Sequence, residues 1–308
     1  MNVLPPEAAR GVDDVLDCLV VGGGAAGLVA AVYLGRYLRN TTVIDDGKSR
    51  LLWIAKSRNV IGFPEGIAGP ELLDRMRTHA AHYEIAMEAG RVESLGLASD
   101  GTFEARAGAK HYRARTVLLA TGAHDVQPEI EGLKASLASG NVRFCPVCDG
   151  FETQGQPVAV LGPQTHGLRE SAFVAGFDNR VTWLSMGTHQ SCSREELSKL
   201  AALKVAVHDR RPTAIRAFAG KGVEIDFDDG HTLQFDVLYA AFGMTHASQL
   251  ATALGAKADD DGQLVIDEHC CTTVPNLYAI GDVAAGLNQI NVAAGHAAIA
   301  ATAIHNSL

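Results

Sequence analysis

The chain has 308 residues, 47% of them hydrophobic and 20% charged, with a formal net charge of −9. That length accommodates two ordinary domains, each with its own core, and the acidic balance excludes a nucleic-acid partner, which requires a basic surface. No apolar run approaches the roughly 18–20 residues of a membrane span. The acids and prolines of residues 1–14 lack the basic-then-apolar order of a secretion signal, so a cytoplasmic protein with no membrane partner is expected.

Residues 15–21 read as a buried strand, residues 22–27 as a tight turn, residues 28–38 as a helix rich in Ala and Leu, and residues 41–44 as a second strand ending at Asp45. This is a βαβ unit with glycines at its first turn. Gly22, Gly24 and Gly27 occupy the three glycine places of G-x-G-x-x-G: one for the turn, one for pyrophosphate contact with backbone, one for close helix–strand packing. Asp45 follows at about the 20-residue distance at which an acid takes a ribose hydroxyl. A strand before, a helix after and an acid at this distance together point to a bound dinucleotide.

Further along, residues 116–123 read as a strand that ends at a glycine turn. A second βαβ pattern begins at residues 156–161, turns at Gly162-Pro163-Gln164-Thr165-His166-Gly167, continues as helix to Phe177 and returns as a strand over residues 180–184. One design is therefore used twice, and in the second copy Gln164 fills the middle glycine place. Residues 276–280 form a late strand, and an Ala-rich helix closes the chain from Val292 onward.

Between the two copies lies Cys145-Pro146-Val147-Cys148-Asp149-Gly150. Two cysteines at this spacing interconvert between disulfide and dithiol, and the adjacent acid is placed to carry the proton each half-reaction moves. Zinc is the competing use, but it needs about four ligands, and no second C-x-x-C exists. Six cysteines in a chain of this length are too few and too uneven for a secreted disulfide framework. Cys18, Cys270 and Cys271 read as packing residues, and Cys192 lacks ligand spacing. His124, His166 and His189 read as packed or solvated histidines.

The order of these pieces resembles the low-molecular-weight thioredoxin reductases from Asp14 to the end. The pieces are residues 20–27, Gly62-Phe63-Pro64-Glu65-Gly66, Ala120-Thr121-Gly122-Ala123, residues 145–150, Gly281-Asp282 and residues 289–295. The resemblance implies an α/β fold of two Rossmann-like three-layer nucleotide-binding domains, the second inserted into the first: residues 1–124 and 251–308 for FAD, residues 125–250 for the dithiol. It implies FAD held by Gly22, Gly24, Ala25, Ala26 and Gly27, by Asp45 and Asp46, by Ala120, Thr121 and Gly122, and by Gly281, Asp282, Gln289 and Ile290. A helix start at residues 295–298 is expected beside the flavin, where the positive end of the dipole favours reduced, anionic flavin. Cys148 is the thiol nearest the flavin by the same carry-over, Cys145 exchanges with substrate, Asp149 is the acid/base, and the assembly is a homodimer.

The chain departs from that pattern in one site twice over. The family binds NADPH through G-x-G-x-x-A and a basic cluster after the next strand. Gln164 obstructs backbone approach to a pyrophosphate and Pro163 removes an N–H donor. The stretch from Leu184 to Ser191 has no Arg or Lys to meet a 2′-phosphate. Asn288 stands where the family commonly has Arg, and His296 where a small residue is usual. A neutral imidazole there is suited to taking a thiol proton. In these features the chain is similar to the NADPH-independent dithiol oxidases that close disulfides in natural products of the gliotoxin, holomycin and romidepsin type. The expected substrate is then a small-molecule or peptide dithiol, or alternatively thioredoxin. An NADPH-dependent reductase, a reductase using another donor such as ferredoxin, and a non-catalytic flavin sensor are the competing readings.

Overall fold

A computed structural model describes residues 15–218 and 220–308, so the reading of residues 1–14 lies outside the described residues. The chain divides into two compact units: residues 15–49, Leu73–Gly122 and His246–Leu308 form one, and Arg50–Leu72 with Ala123–Thr245 form the other. The second unit takes in Arg50–Leu72, a segment that the family pattern puts with the first. Arg50 forks onto Asp125 through Nε and Nη2 at 3.1 and 2.7 Å, and Arg58 pairs with Glu152 at 3.3 Å. No described helix is long and apolar enough to cross a membrane.

In the first unit, Leu16–Val21 sits between Thr41–Asp45 and Lys110–Leu119, all parallel. Ala86–Ala89 extends one edge and Leu277–Ala279 the other. Cys18, Leu19 and Val20 are fully buried, as expected of a parallel strand covered on both faces. The ten-residue strand Lys110–Leu119 joins the parallel and antiparallel parts of one seven-stranded sheet. Its first half pairs antiparallel with Phe103–Ala107, and its second half runs parallel to Leu16–Val21 and Leu277–Ala279.

The helix after the glycine turn runs Ala25–Arg36, three residues earlier at its start than the sequence suggests. Leu28 N–H already reaches Gly24 O at 3.0 Å, so the turn is only Gly22 to Gly24. Leu38, expected as the last helical residue, has φ of 58° and lies exposed. The closing helix spans Ile290–Ser307 and packs along Ala25–Arg36, with Arg39 Nε donating to His305 Nδ1 at 2.9 Å.

The second unit repeats the plan. Its five-stranded parallel sheet has the order Ala206–His208, Arg180–Leu184, Pro157–Leu161, Val237–Ala240, Val142–Arg143. Side chains alternate across it. Val158, Val160, Trp183 and Tyr239 pack with Val174 and Leu200 of the helices Gln164–Ala175 and Arg194–Ala202. Ala159 and Leu161 pack with Ile215, Val223, Ile225 and Phe227 of an antiparallel three-stranded layer. Helices, parallel sheet and antiparallel layer make three layers in this unit.

Trp183 ties two of these elements together. It is fully buried, and its indole Nε1 donates to Gly162 O at 2.9 Å. Trp183→Phe leaves that carbonyl buried without its partner, a loss of about 1–3 kcal/mol. We expect an earlier denaturant transition of the second unit with unchanged flavin content, measured by tryptophan-independent far-UV circular dichroism and flavin absorbance.

Candidate flavin and dithiol sites

The first glycine turn separates what the protein needs from what a ligand needs. A Cβ on Gly22 would lie 2.3 Å from Ala120 O, and one on Gly27 would lie 1.9 Å from Gly22 O. Both glycines are demanded by packing. Gly24 is different: its φ is −80°, and the nearest atom to a Cβ there is Ser49 Oγ at 3.3 Å. Backbone conformation does not forbid a side chain at Gly24, and the only close neighbour of a Cβ there is a side-chain oxygen rather than backbone, so this place suits a group that lies against the backbone. The helix start has no side-chain cap and no acid in its first turn, leaving N–H groups and the positive dipole end for an anion. These residues fit the pyrophosphate of a dinucleotide.

The other expected flavin residues gather on this turn. Asp45 Oδ1 accepts Gly23 N–H at 3.2 Å, and its Oδ2 pairs with Arg77 at 3.1 Å. Asp46 instead turns to the backbone of Lys48. Ala120 closes over Gly22, Thr121 Oγ1 donates to Ala247 O at 2.7 Å, and Gly122 has φ of 69°. A Cβ on Gly281 would meet Ala26 Cβ at 2.9 Å and Ala293 Cβ at 3.6 Å, so the glycine lets the late turn nest between two helices.

Asp282 O accepts a 2.7 Å hydrogen bond from Nδ1 of the buried His246. Arg77 and His246 were missed in the sequence; each is distant in the chain from its partner and belongs to no motif.

Gln289 caps the closing helix in extended conformation and Ile290 is its first residue. Residues 295–298 therefore lie inside that helix, not at a helix start, because the break falls at Gln289. His296 lies in the interior of this helix. Its carbonyl accepts from Cys270 Sγ at 3.7 Å, its Nδ1 is buried without a partner, and burial lowers its pKa.

In the second unit Cys145 and Cys148 are joined by a disulfide, their Cα atoms 5.3 Å apart. Cys145 precedes the one-turn helix Pro146–Asp149, with Pro146 at its first position, where a missing N–H costs nothing. Cys148 N–H bonds Cys145 O at 3.0 Å. Gly150 abuts Phe177, whose ring would lie 2.7 Å from a Cβ.

Asp149, next to the disulfide, is mostly enclosed. Burial pushes its pKa up, while the Arg143 charge and the Tyr239 hydroxyl pull it back. Tyr239 Oη donates to Asp149 Oδ1 at 2.7 Å, and Arg143 Nη1 stands 3.4 Å from Oδ2. Neither partner was foreseen. Arg143 is close in sequence, but Tyr239 arrives only because Val237–Ala240 pairs with Val142–Arg143.

The second glycine turn keeps its packing role and differs at its middle place. A Cβ on Gly162 would sit 2.0 Å from Ala241 O, and one on Gly167 would sit 2.3 Å from Trp183 Nε1. Gln164, in the middle place, donates from Nε2 to Glu196 Oε1 at 3.1 Å. Glu196 closes a capping box with Ser193 at the start of Arg194–Ala202, and those hydrogen bonds hold its pKa low. A carboxylate and an amide therefore stand where phosphates would enter. The residues do not fit NADPH. His189 bonds Ser185, and His166 packs over Gly243; His124 is exposed.

The model of the pyridine nucleotide-disulphide oxidoreductase family matches residues 16–297. The chain belongs to that family and is an FAD-dependent disulfide oxidoreductase of thioredoxin reductase type. It is 28% identical over 306 residues to the thioredoxin reductase of Aquifex aeolicus, covering 96% of this chain and 94% of the relative. The thioredoxin reductase structure of Streptococcus pyogenes MGAS5005 aligns with a TM-score of 0.86 at 25% identity, covering 95% and 97%. HlmI aligns with a TM-score of 0.88 at 24% identity over 96% and 92%, a likeness of fold.

Gly24→Val places a side chain over the turn's backbone, where its one close protein neighbour is the Ser49 hydroxyl. We expect the purified variant to lose FAD while keeping its circular dichroism, with flavin absorbance per chain as the measurement. Full FAD occupancy in Gly24→Val would mean that the pyrophosphate lies elsewhere.

Proposed function

We propose that this disulfide oxidoreductase is a dithiol oxidase. It closes a disulfide in a small-molecule or peptide dithiol through Cys145 and Cys148 and does not draw on NADPH. The observation that carries the reading is the Gln164–Glu196 hydrogen bond across the second glycine turn. An ionised carboxylate repels phosphate, and the stretch from Ser185 to Ser191 has no Lys or Arg. The same reading takes the protein to be a cytoplasmic homodimer.

The chemistry follows from the residues. A substrate thiol gives its proton to Asp149 as its sulfur bonds Cys145 Sγ. The Cys145–Cys148 bond breaks, and its electron pair goes to Cys148 Sγ as thiolate. The second substrate thiol then attacks the substrate sulfur of the mixed disulfide, releasing oxidised product; its proton goes to the departing Cys145 thiolate, while Asp149 holds the first. FAD, when bound, would supply the two-electron acceptor for the dithiol and the route of those electrons to oxygen. Its holders in this reading are the residues around Gly24, Asp45, Gly122 and Asp282, with Gln289 and Ile290.

Two measurements test this. Anaerobic mixing with a small dithiol should bleach the flavin readily, whereas NADPH should do so slowly or not at all; rapid stoichiometric bleaching by NADPH would sink the oxidase reading in favour of an NADPH-dependent thioredoxin reductase. Offered the disulfide form of the substrate, Cys148→Ser should trap a mixed disulfide at Cys145 that intact-mass analysis detects, because Cys145 thiolate attacks that disulfide and no neighbouring thiol resolves the adduct. Cys145→Ser should trap none. The reverse pattern would exchange the roles of the two thiols.

A further inference from the structure

The surroundings of Asp149 hold more than a lone acid beside a disulfide. Tyr239 and Arg143 are direct register partners on neighbouring parallel strands, so their side chains leave the sheet on one face. Both reach Asp149. The Tyr239 hydroxyl donates to Oδ1 at 2.7 Å, a short bond to a carboxylate. Arg143 is itself anchored, with Nε donating to Gly140 O at 2.9 Å. From that anchor Nη1 stands 3.4 Å from both the Asp149 carbonyl and Oδ2. The two carboxylate oxygens are therefore not equivalent.

We propose that Tyr239 and Arg143 are positioning residues that turn Asp149 into a one-oxygen acid/base: Oδ1 is occupied by the phenol, and the thiol proton enters and leaves at Oδ2. This rests on the reading that Asp149 carries the proton of dithiol exchange. The phenol suits the task because burial and the neighbouring carboxylate push its own pKa up, so it remains a donor at every working pH. The guanidinium is held at the looser distance, supplying charge without occupying the oxygen as tightly. The remaining charged group facing Asp149 is Glu152, which raises its pKa. Glu152 is in turn paired with Arg58 at 3.3 Å. Burial and Glu152 thus work against the carboxylate, and Tyr239 and Arg143 work for it.

The sign of the effect follows. Removing either positioning residue removes a group that favours the ionised form, so the Asp149 pKa rises. The base is then lost at a higher pH. A loss of roughly one pKa unit's worth of stabilisation is a tenfold loss of base on the acid side and none on the alkaline side.

The experiment is the stoichiometric reduction of the oxidised holoenzyme by dithiothreitol, quenched at intervals. Free Cys145 and Cys148 are alkylated and counted by mass spectrometry. Rates for Tyr239→Phe and Arg143→Gln are divided by the parent rate across roughly pH 5–9, so that the ionisation of dithiothreitol itself cancels. Both ratios should approach one at the alkaline end and fall progressively toward the acid end. A ratio that is depressed equally at every pH, or does not move, would overturn the proposal, since a packing defect has no reason to follow pH. Asp149→Asn separates the two layers. If it reacts at the parent rate throughout, Asp149 moves no proton and the underlying reading falls too. If it is slow while the other ratios stay flat, the positioning roles alone are wrong.

Discussion

The close approach of Gly27 to the carbonyl of Gly22 is the constraint on which the first unit depends. It allows the helix Ala25–Arg36 to begin immediately after the strand Leu16–Val21, with no room for a Cβ at either glycine. That contact puts free backbone N–H groups at the end of a buried parallel sheet. The strand end at Ala120, the acid at Asp45 and the late turn at Gly281 then collect around the same point. The second unit uses the same contact, where a Cβ on Gly167 would meet Gly162 O at 2.6 Å.

Two copies of one turn make a controlled comparison. In both, the outer glycines answer to the protein's own packing. Of the three glycine places only the middle one has no close backbone approach, and only it changes between the copies, Gly24 in one and Gln164 in the other. Packing has held the fold constant, while the position answering to a ligand has changed. The amide of Gln164 is tied to Glu196, a contact that makes the second turn self-contained.

The dithiol draws on a different physical resource. A four-residue helix has too little length to be stable by itself, and Pro146–Asp149 is supported by the edge strand before it and by the ring of Phe177 lying against Gly150. Enclosure raises the pKa of Asp149, and a phenol and a guanidinium moderate it. A carboxyl so balanced can both take and return a proton, which an exposed and fully ionised one does poorly.

By itself the sequence determined the α/β class, the βαβ units, the nucleotide turn and the reactive cysteine pair. These are local: glycine spacing, apolar runs and a C-x-x-C motif are written within a few dozen consecutive residues. Helix ends were less legible. The left-handed stop at Leu38 and the start at Ile290 depend on single backbone conformations that the residue types at those places do not announce. Tertiary structure alone decided which residues complete the sites. Arg77 comes to Asp45, His246 to Asp282 and Tyr239 to Asp149 through chain separations that carry no periodic signal. Strand register and helix docking set those meetings, and both are settled by the burial of many apolar side chains at once.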